Sequence, residues 1–148
     1  MIYFSLPYKK LESKAMTYNE SDKRKFYWPE KKVLVAEDEE SNYLLIVAIL
    51  KDTGLLLIHC QDGVELLEKV DTDMDYDLVL LDLKMPRMGG INAMKLIRDS
   101  NKRIPVIVQT AYDQTNHRKQ ALELGCNDFL IKPLRKQELL TIVAKYLD

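Results

Sequence analysis

Cysteine is scarce in this chain. There are two among 148 residues, Cys60 and Cys126. Their separation fits neither a disulfide framework nor a zinc site, so both read as small core residues in a reducing compartment. Histidine is equally scarce. His59 falls in a strand-like run and His117 at the polar start of a helix-like run. Neither has the neighbours of a metal centre or a phosphohistidine, and neither is given a role. An excess of one charge is also missing: 22 Lys and Arg against 23 Asp and Glu leave a net charge of −1. That excludes a general attraction to nucleic acid. No apolar run reaches the ~18 residues that a membrane span requires. The opening MIYFSLPYKK lacks the long apolar core of a signal peptide.

What is present is the mixture of a globular protein, 47% hydrophobic and 30% charged, long enough for one domain and an extension. The chain divides near residue 32. Before it, YKKLESKAMTYNESDKRKFYWPEKK is polar and aperiodic, and residues 1–31 read as an arm or linker. After it, apolar runs at 33–36, 55–60, 77–83, 104–108 and 128–131 read as five strands. They are nearly continuous in apolar residues, as strands covered on both faces should be. Segments near 40–53, 62–71, 88–100, 113–124 and 135–147 carry helical spacing. Gly54 and Gly125 fall where helices should end. Strand and helix alternating five times predict an α/β domain: a doubly wound parallel sheet with helices on both faces.

One stretch conflicts with ordinary packing. In KKVLVAEDEES the buried-looking run Val33–Ala36 stops at four acids, Glu37 to Glu40. In an open parallel sheet the functional crevice lies at the carboxyl ends of the strands. Glu37 and Asp38 end the first strand, Asp82 the third, Thr110 the fourth and Lys132 the fifth. Three carboxylates on one edge repel one another unless a cation compensates. Hard oxygen ligands beside room for a phosphate suit Mg²⁺. Lys132 and Thr110 can then serve phosphoryl oxygens. Glu39 and Glu40 are expected only to favour the positive end of the next helix.

The elements VLVAEDE, LVLLDLKMPRMGG, VIVQTA and DFLIKP, in that order, resemble the receiver domain of two-component response regulators across residues 32–148. The resemblance implies a flavodoxin-like sheet of order 2-1-3-4-5. It implies Asp82 as phosphoacceptor, with Mg²⁺ held by Asp38, Asp82 and the backbone carbonyl of Lys84, and by Glu37 through water. It also implies Thr110 as switch hydroxyl, Lys132 as phosphate partner, Phe129 as switch aromatic, and a cis Lys132–Pro133 bond. The acid pair is Glu-Asp where the family commonly has Asp-Asp, and the aromatic is Phe where Tyr is common. Lys84 and Tyr112 are bulky side chains that flank the path of hydrolytic water in the family, so a slowly hydrolysed phosphoryl group is expected.

Two rivals share parts of this pattern. A haloacid-dehalogenase-type phosphatase needs a second acid two residues after its nucleophile, and position 84 is Lys. A flavin-binding module wants a Ser, Thr and Gly-rich loop after the first strand, where this chain has EDEES.

The resemblance implies a histidine kinase or histidine phosphotransfer protein as partner. In SNYLLIVAILKDTG, helical spacing puts Leu45, Ile46, Ile49 and Leu50 on the sheet side and Leu44 and Val47 outside. Leu44 and Val47 are the expected docking contacts. IYFSLPY resembles the closing strand of a histidine kinase ATP-binding domain. The chain is therefore expected to be the C-terminal receiver of a hybrid sensor kinase, cytoplasmic, with any membrane anchor in the parent. A stand-alone single-domain regulator is the alternative.

Overall fold

The computed structural model describes residues 26–72, 75–100, 103–111 and 115–148. The segment resembling a kinase strand, and Tyr112, lie outside the described residues. Five strands and five helices alternate: β1 (Lys32–Ala36), α1 (Glu40–Leu50), β2 (Leu56–Cys60), α2 (Gly63–Thr72), β3 (Leu78–Asp82), α3 (Gly90–Asp99), β4 (Val106–Thr110), α4 (Thr115–Glu123), β5 (Asp128–Ile131) and α5 (Lys136–Leu147). The strands form one parallel sheet in the order β2-β1-β3-β4-β5. Fold class and strand order are as expected. Among the described residues no helix is long and apolar enough to cross a membrane.

Alternation along each strand divides the core in two. Val33, Val35, Leu78, Leu80 and Ile107 face α1 and α5, which bury Ile46, Ile49, Leu139 and Val143 against them. Leu34, Ala36, Val79, Leu81 and Val108 face the other way, against Leu66, Met94, Ile97 and Ala121 of α2, α3 and α4. Cys60 and Cys126 are buried free thiols on this second side. Burial pushes the Cys60 thiol up to about 12, so it packs as a neutral group.

Three local departures have physical causes. The fourth strand begins at Val106 rather than near 104. Pro105 has no N–H to donate, although its carbonyl accepts from Val79. On α1, Leu45 is 40% exposed, although it was expected against the sheet, and Val47 is half-buried although it was expected outside. At about 100° per residue the buried arc is centred on Ile46, so Leu45 and Val47 flank it on opposite sides while Leu44 lies opposite. The last part of the expected linker also joins the fold. Phe26 and Trp28 are each 5% exposed and complete the α1–α5 side of the core. Trp28 donates its indole N–H to Asp148 Oδ1 at 2.7 Å and its main-chain N–H to the Thr53 carbonyl at 2.6 Å. Burying two such rings stabilises the fold by about 2–3 kcal/mol each.

Gly54 and Gly125 hold the left-handed φ values, +78° and +97°, expected at helix ends.

Candidate functional site

The strands β1, β3 and β5 continue their hydrogen bonding one residue past their assigned ends. Glu37 N donates to the Cys60 carbonyl at 2.9 Å, Leu83 N to Gln109 at 3.3 Å, and Lys132 N to Thr110 at 2.8 Å. The carboxyl edge therefore presents Glu37, Asp82 and Lys132 from a rigid backbone rather than from loose loops.

These side chains meet. Lys132 Nζ donates to Asp82 Oδ2 at 2.8 Å and lies 3.4 Å from Glu37 Oε1. Lys84 N donates to the other Asp82 oxygen, Oδ1, at 3.1 Å. Glu39 N reaches Glu37 Oε2 at 3.2 Å. Glu37, Asp38 and Asp82 bring carboxylate oxygens within 4.8 Å of one another. Glu37 and Asp82 are buried, 0% and 3% exposed, whereas Asp38 is open to solvent. A cleft of about 460 Å³ opens over Asp38, Asn42, Asp82, Lys84 and Lys132. The Lys132–Pro133 bond is cis, as expected.

The electrostatics follow from that burial. Loss of water and the adjacent Asp82 charge push the Glu37 carboxyl up to about 7, against the weaker opposing pull of Lys132. Burial alone would lower the Lys132 ammonium, but its hydrogen bond to Asp82 and the charges of Asp82 and Glu37 outweigh this and hold it above its ordinary value. One ammonium thus leaves the three-acid cluster with uncompensated negative charge. The oxygen donors, their spacing and this residual charge fit a hard divalent cation.

Three further candidates sit around this centre. Thr110 is fully buried at the end of β4, with Oγ1 3.0 Å from the Ala111 carbonyl that accepts from it. Phe129 packs on the α2–α4 side of the core, with the Arg118 guanidinium 5.2 Å from its ring. Leu44 projects from α1 and is 56% exposed. Glu39 is the N-cap of α1 but makes no side-chain cap bond. Its Oε1 instead accepts from Asn42 at 3.0 Å, and Glu40 lies in the first turn.

The loop from Asp82 to α3 is held by contacts that sequence reasoning missed. Arg87 donates through Nε to Asp62 Oδ2 at 2.5 Å, and Asp62 Oδ1 caps α2 by accepting from Glu65 N at 2.9 Å. The hydrogen bond from Arg87 holds the Asp62 carboxyl below its usual range. Gly63 is required beside this contact, because a Cβ there would lie 2.7 Å from the Met88 carbonyl. A second missed contact joins His59, Tyr43 and the Glu37 carbonyl.

The family model for the response regulator receiver domain matches residues 33–144. The chain belongs to that family. It is a receiver domain of two-component signalling, and the phosphatase and flavin readings are set aside. It is 38% identical over 109 residues to the transcriptional regulatory protein DltR of Streptococcus agalactiae, covering 74% of this chain and 48% of that protein. It is 33% identical over 133 residues to hybrid signal transduction histidine kinase G of Dictyostelium discoideum, covering 84% of this chain and 4% of that one. The receiver thus spans half or less of these curated relatives. Among solved structures it resembles the receiver domain of Francisella response regulator 1452, with TM-score 0.70, 33% identity, and 78% and 98% of the two chains covered. The receiver domain of the Pseudomonas aeruginosa sensor histidine kinase PA1611 was crystallised with magnesium coordinated in its active-site cleft. It matches with TM-score 0.73 and 29% identity, over 79% of this chain and 97% of that one. Receiver domains bind Mg²⁺ in this cleft, and as a class they interact with histidine kinases or phosphotransfer proteins.

Proposed function

We propose that Asp82 accepts a phosphoryl group from a phosphohistidine, and that this receiver serves a phosphorelay. The observation that carries the reading is the Lys132–Asp82 contact at 2.8 Å inside a cluster of three acids at the sheet's carboxyl edge. Asp38, Asp82 and the Lys84 carbonyl would hold Mg²⁺, with Glu37 acting through water. The ion when bound would offset charge on the acids and on the phosphoryl oxygens. A carboxylate oxygen of Asp82 attacks phosphorus, the P–N bond breaks, and its electron pair returns to the donor imidazole. Lys132 exchanges part of its bond to Asp82 for the phosphoryl oxygens. Thr110 turns its hydroxyl toward the new anion, and Phe129 moves into the space it leaves.

The proposed partner is a histidine phosphotransfer protein or the histidine domain of a parent hybrid kinase, docked over Leu44 and Val47. A single-domain regulator remains the alternative for the whole protein. The test is phosphotransfer with and without Leu44→Glu plus Val47→Glu. Transfer from the phosphorylated partner is expected to fall by about tenfold or more, the effect of losing ~1.4 kcal/mol of binding. Mg²⁺-dependent labelling by acetyl phosphate should persist. Unchanged transfer would place docking elsewhere. An absence of labelling in the unsubstituted chain would remove the phosphoacceptor reading. Lys84, which is exposed, is proposed with Tyr112 to lengthen the life of the acyl phosphate.

A pH dependence follows from Glu37. Its folded pKa of about 7 lies above the ordinary 4.5, so the folded chain holds this proton more tightly than the unfolded one. The stability due to protonated Glu37 is complete below the ordinary value and is lost as pH rises through about 7. Mg²⁺ has the opposite dependence, because below that pH the proton must leave when the cation enters. Calorimetric titration should therefore show Mg²⁺ affinity rising between about pH 6 and 8. Glu37→Gln should flatten the rise, and an equally steep rise in that variant would assign the proton elsewhere.

A further inference from the structure

His59 stands on β2, opposite Val35 of β1 in the sheet register. Its ring lies on the α1 side and stacks on Tyr43, with centroids 3.7 Å apart and planes within 4°. Its Nε2 lies 2.7 Å from the main-chain carbonyl of Glu37. A carbonyl only accepts, so Nε2 carries the proton of this bond. The last ladder bond between these strands runs from Glu37 N to Cys60 O. The His59 ring adds a bond just beyond it, on the peptide that joins Glu37 to Asp38. That peptide fixes where both carboxylates leave the backbone. The Glu37 carboxylate is held separately, by the Glu39 N–H on Oε2 and by Lys132 Nζ 3.4 Å from Oε1.

We propose that His59, clamped by Tyr43, is a positioning residue that presets the Glu37–Asp38 turn for a divalent cation. The proposal rests on the magnesium reading of the site. It gives an otherwise isolated histidine a role that needs neither metal ligation nor phosphorylation. The three groups come from a strand, a helix and a turn, and no motif in the chain links them. Parallel stacking limits ring rotation, and the short bond converts that rigidity into a fixed peptide plane. Without it, the turn that carries Asp38, open to solvent, is held through the Glu37 side chain alone, by Glu39 N–H and Lys132, and its peptide plane is free to turn. Each metal-binding event must then order the turn, and affinity falls by the cost of that ordering.

The experiment is calorimetric titration with Mg²⁺ alone on the full chain, paired with thermal unfolding in chelator. His59→Leu removes the donor and keeps the bulk. It should raise the Mg²⁺ dissociation constant about tenfold, the usual loss when a partner of a metal ligand is removed. His59→Gln can place an amide N–H where Nε2 stood but loses the ring stack, and should bind Mg²⁺ more tightly than His59→Leu and more weakly than the unsubstituted chain. Tyr43→Phe keeps the stack and should match the unsubstituted chain, whereas Tyr43→Leu should weaken binding. A merely structural histidine would lower the unfolding temperature in both His59 variants without separating their Mg²⁺ affinities. Equal affinity in His59→Leu and the unsubstituted chain overturns the proposal, as does a His59→Gln as weak as His59→Leu. If His59→Leu does not fold, Tyr43→Leu decides: an affinity equal to that of the unsubstituted chain overturns the proposal, and a weaker one supports it. Failure of the unsubstituted chain to bind Mg²⁺ would remove the magnesium reading and the purpose of the brace together. Binding that ignores His59 removes the brace alone.

Discussion

Asp82→Asn should take up no phosphoryl group from acetyl phosphate in Mg²⁺, while the unsubstituted chain is labelled. The substitution keeps the shape of the side chain and replaces one oxygen by an amide nitrogen. An amide is not a nucleophile toward phosphorus, and it does not form the acyl phosphate. It also loses the charge that Lys132 Nζ meets at 2.8 Å. The fold should tolerate the change. Asp82 lies beside Glu37, so removing its charge relieves repulsion, and Glu37 should ionise more easily than in the parent chain. Unfolding temperature in chelator is thus expected to hold or rise. Loss of labelling with retained stability is the signature of a nucleophile, because a merely packed acid would lose stability and leave labelling in place. Mass spectrometry after acetyl phosphate treatment reads the result directly. Labelling of Asp82→Asn at the parent level would move the phosphoacceptor to another acid.

What could be read from the chain divides by the range of the signal. Glu37, Asp38, Asp82, Thr110 and Lys132 were legible as one edge because each terminates an apolar strand run. Alternation of strand and helix then forces those ends to the same side. Gly54 and Gly125 were legible because a left-handed residue leaves a local mark. Phe26 and Trp28 were not. They stand in a polar, aperiodic stretch, and their burial depends on a cleft between α1 and α5 that exists only after folding. His59 gave a misleading signal, since an isolated histidine in a strand pattern has no neighbours in sequence. Its partners, Tyr43 and the Glu37 carbonyl, lie 16 and 22 positions away. The Arg87–Asp62 bond spans 25 positions and is silent for the same reason. On α1 the period was right, but the centre of the buried arc was misplaced. Near-uniform apolarity around the helix leaves the phase undetermined, and packing against the sheet decides it.

Asp38→Ala and Lys132→Ala should both suppress labelling, but they should move Mg²⁺ affinity in opposite directions. Asp38 contributes a carboxylate to the three-acid group from its solvent side. Its removal should weaken Mg²⁺ binding by more than about tenfold, since the loss of even an outer partner costs that much. Glu37→Ala should weaken it less, because Glu37 is proposed to act through water. Lys132 is the only ammonium bonded to Asp82 and Glu37 among the described residues. Removing it deletes a positive charge that competes with the cation, so Mg²⁺ should bind at least as tightly as before. Labelling should nonetheless fall by about 10²–10³-fold, the usual cost of losing one preorganised donor to a transferring group. Each acid also keeps a main-chain donor, Glu39 N on Glu37 and Lys84 N on Asp82. The Lys132→Ala site therefore remains partly compensated, and the fold should survive the substitution, all the more with Mg²⁺ present. Calorimetric titration and labelling on the same two samples give four numbers. If Lys132→Ala lost Mg²⁺ affinity in step with Asp38→Ala, the lysine would serve to hold the acids together, and its role toward the phosphoryl group would fall.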